Sequence, residues 1–394
     1  MISVQQALHI IDTTVVPNRI KKVKIAKSLG CILAEDITAP IHMPSFRQSA
    51  MDGYAIIWSE SAKYTLTDEA KAGDAQDLSL KPFEAVRIFT GAKVPDQADT
   101  VVMQEHVSKI EHDLSINIMP NKGANVRPIG EQVKEGDIVL KKGSVLNEAA
   151  IGFLSGLGLT KVAIYLPPKI SILVTGNELQ KPGKPLKPGK IYESNAVMLQ
   201  TALKRFGIND IKTFKAKDTL KATRKSIKKA LKFSDIVLIS GGISVGDYDF
   251  VKEALDKNHV DEMFYRLNQK PGKPLWFGKK DHQFVFALPG NPASVLTCFY
   301  VYVLPILKKF SGLTAYHLPQ IQAKSATAFK NTTGKTLFLK AYYNGEDVTI
   351  LQGQQSSMLH AFASSNVLVK IPENLENIAI NDTITCIKLD GHGS

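Results

Sequence analysis

Two carboxylates one residue apart, Asp247 and Asp249, close a loop that starts with Ser240, Gly241 and Gly242 and runs through Ser244 and Gly246. Carboxylates at that spacing suit a hard divalent cation such as Mg²⁺. Glycines directly after a strand let the backbone approach a ligand with no Cβ in the way. Their free N–H groups, with the start of the following helix, suit an anion such as phosphate. A tight strand-to-helix turn whose aspartates cap the helix is the alternative reading. Gly176, Asn177 and Glu178 form a second polar loop, and Pro289, Gly290, Asn291 and Pro292 a third. Asp52-Gly53, within the turn-rich segment 44–55, reads on its own as an Asp-Gly β-turn.

Each of the three loops follows a short apolar run: Ile170–Thr175, Ile236–Ile239 and Phe284–Leu288. Runs this short, rich in β-branched residues and bounded by glycine or proline, read as buried strands. Helical patterns over 195–206, 219–232, 248–255 and 293–310 alternate with them, and further strands are expected at 211–215 and 263–267. That alternation predicts a three-layer α/β domain with a mostly parallel sheet. Open sheets of this class bind ligands outside the C-terminal ends of their strands. Three polar loops there are hard to explain as turn chemistry alone. Elsewhere Ser3–Thr14 and Asn147–Leu157 read as capped helices. Residues 63–118 read as short strands with turns, with Thr90-Gly91 directly after one of them. The chain beyond Pro319 reads as another small β domain, and Pro167-Pro168 as a linker.

At 394 residues the chain is too long for one core. With 44% hydrophobic and 22% charged residues it has an ordinary globular composition. No signal peptide is read at the start and no membrane span along the chain. Cys31, Cys298 and Cys386 contain no C-x-x-C pair, which fits a reducing cytoplasm and no disulfide framework. The net charge of +12 concentrates in 201–232, where eleven Lys or Arg face Asp210 and Asp218, a net of +9. Nucleic-acid binding is one reading of that run. Without an aromatic stripe to stack on bases, a solvated helix face is the favoured one. No nucleic-acid partner is expected.

The motifs, taken together, resemble one family. S-A-M-D-G-Y-A at 49–55, I-F-T-G-A-x-x-P-x-x-A-D-T-V-V-M-Q-E at 88–105, T-G-N-E-L at 175–179, Y-E-S-N at 192–195, S-G-G-I-S-V-G-D-Y-D at 240–249, K-P-G-K-P at 270–274 and L-P-G-N-P at 288–292 come in the order of the molybdopterin molybdenumtransferases. These are of the bacterial MoeA type and similar to the E domain of gephyrin. The resemblance implies an enzyme that takes adenylated molybdopterin and molybdate, releases AMP, and leaves molybdenum on the dithiolene as molybdenum cofactor, assisted by Mg²⁺ or a similar ion. It also implies an elongated homodimer of four-domain chains, with transient contacts to an adenylyltransferase and to recipient molybdoenzymes. The expected segments are 1–44 with 130–168, 45–129, 169–312 and 313–394.

On that resemblance Asp52, Thr90, Glu178 and Asp249 are the catalytic candidates, and Asp52, Glu178, Asp247 and Asp249 the metal ligands. Asn177, Ser194, Asn195, Ser240, Gly241, Gly242, Ser244, Gly246, Asp247 and Pro289–Pro292 would cradle substrate. Arg266, Lys270 and Lys273 would hold phosphate or molybdate by charge, and Ser294 would reach molybdate from a helix N-terminus. Arg47 stands where the family usually carries Asp, Gln132 where it carries Asp, and Glu193 replaces the Asp of the Y-D-S-N box. Lys335 and Lys340 replace commoner arginines and lose the bidentate fork, which weakens the expectation of anion binding there. The rival readings are the upstream adenylyltransferase, which is usually the α/β domain alone, and a non-catalytic gephyrin-like scaffold.

Overall fold

A computed structural model describes residues 1–16, 19–74, 77–243 and 250–389. Residues 1–21 with 165–394 form one compact unit, and residues 22–164 form another. The chain opens with α1 (Val4–Thr14) of the larger unit, begun by a capping box in which the Ser3 hydroxyl and the Gln6 side chain each bind the other's backbone N–H. Its Val4, Ala7 and Ile11 recur at helical spacing and are buried.

In the unit 22–164, β1 (Gly53–Ile56), β2 (Lys63–Ala70), β3 (Glu84–Ile88), β4 (Thr100–Met103), β5 (Val107–Ile110) and β6 (Asp113–Ile116) form a sheet ordered β4-β1-β3-β2-β6-β5. Strand alternation sends Ala55, Val86 and Val101 into one apolar cluster and Ile56, Ala85 and Val102 into another, so both faces are covered. Gly53 is not a turn glycine. It opens β1 between β3 and β4, where a Cβ would meet the Val102 carbonyl oxygen at 1.9 Å. The same unit contains α2 (Glu148–Gly156), capped by Asn147.

The larger unit is built on β7 (Ile170–Thr175), α3 (Asn195–Arg205), β8 (Ile211–Ala216), α4 (Leu220–Phe233), β9 (Ile236–Ser240), α5 (Val251–Asp256), β10 (Asp261–Tyr265), β11 (Gln269–Lys270), β12 (Trp276–Lys280) and β13 (Gln283–Leu288). The sheet order is β8-β7-β9-β13-β12-β10, with the first four strands parallel. The last two are antiparallel, and β12 is a strand that sequence reading leaves out. Ile172, Leu238 and Phe286 enter a cluster with α1 and α3, whereas Leu173, Ile239 and Val285 enter one with α4 and α5. Each fully buried Leu, Ile or Phe contributes roughly 1.5–3 kcal/mol of transfer free energy, which makes this three-layer register stable.

Helix α6 (Pro292–Cys298), one π-helical segment (Phe299–Val303) and α7 (Leu304–Phe310) run on as a single apolar helix. By length and composition it qualifies as a membrane span, contrary to the sequence reading, yet 83% of its apolar window is buried inside the unit, so it is a core helix. Strands β14 (Gln320–Ser325), β15 (Thr336–Tyr343), β16 (Asp347–Ile350), β17 (Val367–Ile371) and β18 (Thr383–Lys388) then pair β15-β16-β14-β18-β17 and close through β17–β15. That closure uses the edges internally, and β11 extends β15 in parallel.

Candidate functional site

Strands β7, β9 and β13 end side by side, and their loops line a cleft of about 260 Å³ that includes Thr175, Gly176, Glu178, Gly241, Gly242 and Gly290. Gly241 and Gly242 sit at φ +91° and +67°, backbone that glycine adopts without a Cβ penalty. A Cβ on Gly241 would lie 2.9 Å from the Thr175 carbonyl oxygen, and one on Gly242 2.9 Å from Thr175 Oγ1. Side chains are therefore excluded from this floor, and ligand atoms can approach the backbone. Asn195 Nδ2 donates to Ser240 Oγ and to the Gly290 carbonyl, both at 2.8 Å, tying the second loop to the third. Thr175 Oγ1 and Asn195 Oδ1 are buried without a hydrogen-bond partner among the described residues. Buried polar atoms are seldom left unpaired, and Thr175 lines the cleft.

The first loop is braced rather than free. The Asn177 amide donates to Asp218 Oδ2 at 2.7 Å, and Lys190 Nζ donates to the Asn177 carbonyl at 2.6 Å. Ser194 is exposed and makes no cap bond. The cap is supplied by buried Glu193, whose carboxylate accepts from the Ala196 amide at 2.8 Å, so the substitution in that box has a structural use. In the third loop Pro289 is buried, Pro292 starts α6, and Asn291 Nδ2 donates to Ser356 Oγ at 2.8 Å. Ser294 is only 2% exposed and lines neither this cleft nor the neighbouring cavity, so its hydroxyl is not presented as expected. It is the third residue of α6 and is buried there.

The basic loop borders two cavities. Pro274 lines the cleft, while Lys270 lines a neighbouring cavity of about 360 Å³ with Lys330, Asn331, Gln355 and Ser356. Lys273 is exposed on the same loop. Arg266 sits at φ +64° with its guanidinium over the Tyr265 ring, 4.9 Å from the centroid. Lys340 is enclosed by its own chain. It is 2% exposed, and its ammonium donates to the carbonyls of Gly353, Gln355 and Met358 at 2.6, 3.3 and 3.1 Å. Burial pushes its pKa down. The carbonyls of its own chain therefore occupy the charge.

In the unit 22–164, Asp52 stands immediately before β1 and Thr90 just after β3. Thr90 donates to Asp52 Oδ1 from both its backbone N–H, at 2.7 Å, and its hydroxyl, at 2.8 Å. These two bonds, with the nearby Arg87 charge, hold the exposed Asp52 carboxyl below its ordinary pKa. Arg87 bonds the Gly53 carbonyl at 2.9 Å and lies over the Tyr54 and Phe89 rings. Arg47 is explained locally: its guanidinium donates to the carbonyls of Ala98, Pro95 and Asp96 at 2.8–2.9 Å and fixes the turn that follows the T-G-A loop.

Among the described residues no three His, Cys, Asp or Glu gather as a metal site. Ser244, Gly246, Asp247 and Asp249 lie outside the described residues. What the cleft does present, Glu178, Asp218 and the Thr175 hydroxyl, is an all-oxygen donor set that suits a hard cation. Thr175 and Asp218 are absent from the sequence candidates. A hydroxyl at the end of a strand, directly before a glycine, was the available signal for Thr175. Asp218 was hidden as one of two acids in a basic run.

A glycine-floored cleft at the C-terminal edge of a three-layer sheet, with a basic loop beside it, places the chain among the α/β proteins whose candidate site lies at the ends of parallel strands. Comparison with known proteins is consistent along the whole chain. Residues 2–158 match the model for the MoeA N-terminal region (domain I and II), 171–309 the "Probable molybdopterin binding domain", and 322–389 the MoeA C-terminal region (domain IV). The chain belongs to the MoeA family. A molybdopterin molybdenumtransferase of Haemophilus influenzae is 34% identical over 380 residues, 94% of each chain. One of Staphylococcus epidermidis is 32% identical over 94% of this chain and 91% of that one. A crystal structure of a molybdopterin biosynthesis MoeA protein from Pyrococcus horikosii superposes with a TM-score of 0.88 at 28% identity, covering 99% of this chain and 100% of that one.

Proposed function

We propose that the protein inserts molybdenum into molybdopterin: adenylated molybdopterin and molybdate enter, and molybdenum cofactor and AMP leave. The observation that carries this reading is the cleft floor. Gly241 and Gly242 expose backbone beside a buried Thr175 hydroxyl that has no partner among the described residues, in a chain of the MoeA family. The amides around Gly241, Gly242 and Gly290 orient the phosphates of the substrate, and the Thr175 hydroxyl donates to a phosphate oxygen. Lys270 and Lys273 balance the charge of phosphate or molybdate. Preorganised donors of this kind stabilise charge that develops as a phosphoanhydride breaks. Glu178 and Asp218 would hold Mg²⁺ or a similar ion, joined in this reading by Asp247 and Asp249; bound there, it would neutralise phosphate charge. Asp52, held ionised by Thr90, serves as a carboxylate for metal or water. The reading includes a homodimer in a reducing cytoplasm, in keeping with three free cysteines.

The test is AMP release from purified adenylated molybdopterin, with and without molybdate and Mg²⁺, for wild type, Asp52→Asn and Glu178→Gln. Release that needs both additions and falls at least about 100-fold in either variant is expected, the scale of a lost charge-stabilising group. Synthesis of the adenylate from ATP and molybdopterin, with no release, would replace the proposal by the adenylyltransferase reading. Sedimentation of the purified chain at twice its monomer mass is expected, and a monomer would remove the dimer from it.

A further inference from the structure

Beneath the loop Lys270–Pro274 lies a buried polar group that the chemistry above does not use. Gln269, 1% exposed, points its Nε2 at the carbonyls of Pro271 (3.0 Å) and Gly272 (3.3 Å), and at Cys298 Sγ (3.8 Å). Its Oε1 accepts from the hydroxyl of Tyr302, which is fully buried. Every role in this chain of bonds is forced. Carbonyls only accept, so the amide nitrogen must face the loop, and its oxygen must then take the tyrosine proton. The space is closed as well: Gly272 sits at φ +90°, and a Cβ there would lie 2.5 Å from Cys298 Sγ and 2.8 Å from Gln269 Nε2. Tyr302 belongs to the π-helical segment between α6 and α7. One widened turn of that kind shifts the register of the residues after it and recurs at functional sites.

We propose that Gln269 and Tyr302 are positioning residues, whose bonded pair clamps the Pro271 and Gly272 carbonyls from below and so fixes where Lys270 and Lys273 stand for the anionic substrate. The clamp is rigid at both ends. Gln269 is pinned in β11 by pairing with Thr336 of β15, and Tyr302 by the core helix. The loop itself closes through the Leu267 amide and the Lys273 carbonyl at 2.9 Å. Neither residue touches the ligand. Their effect is on where two flexible ammonium groups start, which should appear in anion affinity and not in the bond-breaking step. This inference rests on the reading of Lys270 and Lys273 as anion-binding residues.

Tyr302→Phe removes one hydroxyl and keeps the ring. In the intact protein the KM for molybdate is expected to rise about fivefold with kcat unchanged, the scale of one lost neutral hydrogen bond. Gln269→Glu, which replaces the donor with a carboxylate facing two carbonyls, is expected to raise it further. Amide hydrogen exchange gives a reading that does not depend on turnover. In Tyr302→Phe, exchange should quicken at Gly272 and Lys273 while residues 292–310 keep wild-type protection. An unchanged KM with unchanged exchange, or a fall in kcat alone, overturns the clamp. Loosening that spreads through 292–310 also overturns it, because Tyr302 would then be a fold residue only. If wild type releases no AMP, the proposed function fails, and the exchange pattern still decides the clamp.

Discussion

Thr90 places two donors on one oxygen of Asp52, its amide at 2.7 Å and its hydroxyl at 2.8 Å. Both stabilise the ionised carboxylate, so the folded pKa lies below the ordinary value. A group depressed in this way favours the folded state above its ordinary pKa, and that contribution is lost as pH falls through the folded one. Thr90→Val deletes the hydroxyl bond alone. The Asp52 carboxyl should then titrate higher, read by carbon NMR of the side chain, and the acid limb of AMP release should move to higher pH by the same amount.

Thr175→Val replaces a buried hydroxyl that has no partner among the described residues with a methyl of the same shape. The free protein should lose nothing and gain up to about 1 kcal/mol, since an unsatisfied group is removed. Affinity for adenylated molybdopterin should fall about tenfold, the scale of a hydrogen bond to a charged group. Thermal unfolding with and without ligand measures both, and a stabilised variant with undiminished ligand binding would exclude a donor role for Thr175.

Arg47→Ala removes the guanidinium shared by three backbone carbonyls, of which Pro95 keeps the Ala98 amide as a donor. A loss of roughly 2 kcal/mol is expected from denaturant unfolding. Arg47→Asp, which installs the residue usual in the family, should be no better than alanine here, because a carboxylate cannot donate to carbonyls.

Lys340→Met keeps the length of the side chain and deletes the ammonium that three carbonyls share. Destabilisation of roughly 2–3 kcal/mol is expected from unfolding measurements. In wild type, acetylation by an amine reagent followed by mass spectrometry should mark Lys270 and Lys273 well before Lys340. Early modification of Lys340 would contradict its enclosure.

Much of the larger unit was legible because its strands are short apolar runs punctuated by glycine and proline. Ile170–Thr175 coincides with a strand, and the expected ends of the next two fall within one residue of the observed ones. The strand Trp276–Lys280 was not, since a single glycine and two lysines break its pattern, and only antiparallel pairing with its neighbours makes it a strand. Gly53 was read as part of a turn because Asp-Gly is a turn dipeptide. Its actual constraint is the carbonyl of Val102 across the sheet, a contact some fifty residues away that local pattern cannot carry. Arg47, Glu193 and Lys340 were read as departures from the residues usual in the family. Each instead satisfies nearby backbone groups, which becomes visible only once the turns around it are drawn.

Helix α1 lies at the beginning of the chain, but its apolar face belongs to the core completed by residues 165–394. During synthesis the unit 22–164 leaves the ribosome whole and can fold at once, whereas α1 must wait for partners still unmade. At about 5–20 residues per second the wait for Leu389, a member of that core, is roughly 20 to 75 seconds. For that interval Val4, Ala7 and Ile11 are an exposed apolar face with no home. A nascent chain arrested between the two units would carry a finished small unit and an unsheltered helix, and it is there that a chaperone would find its binding segment.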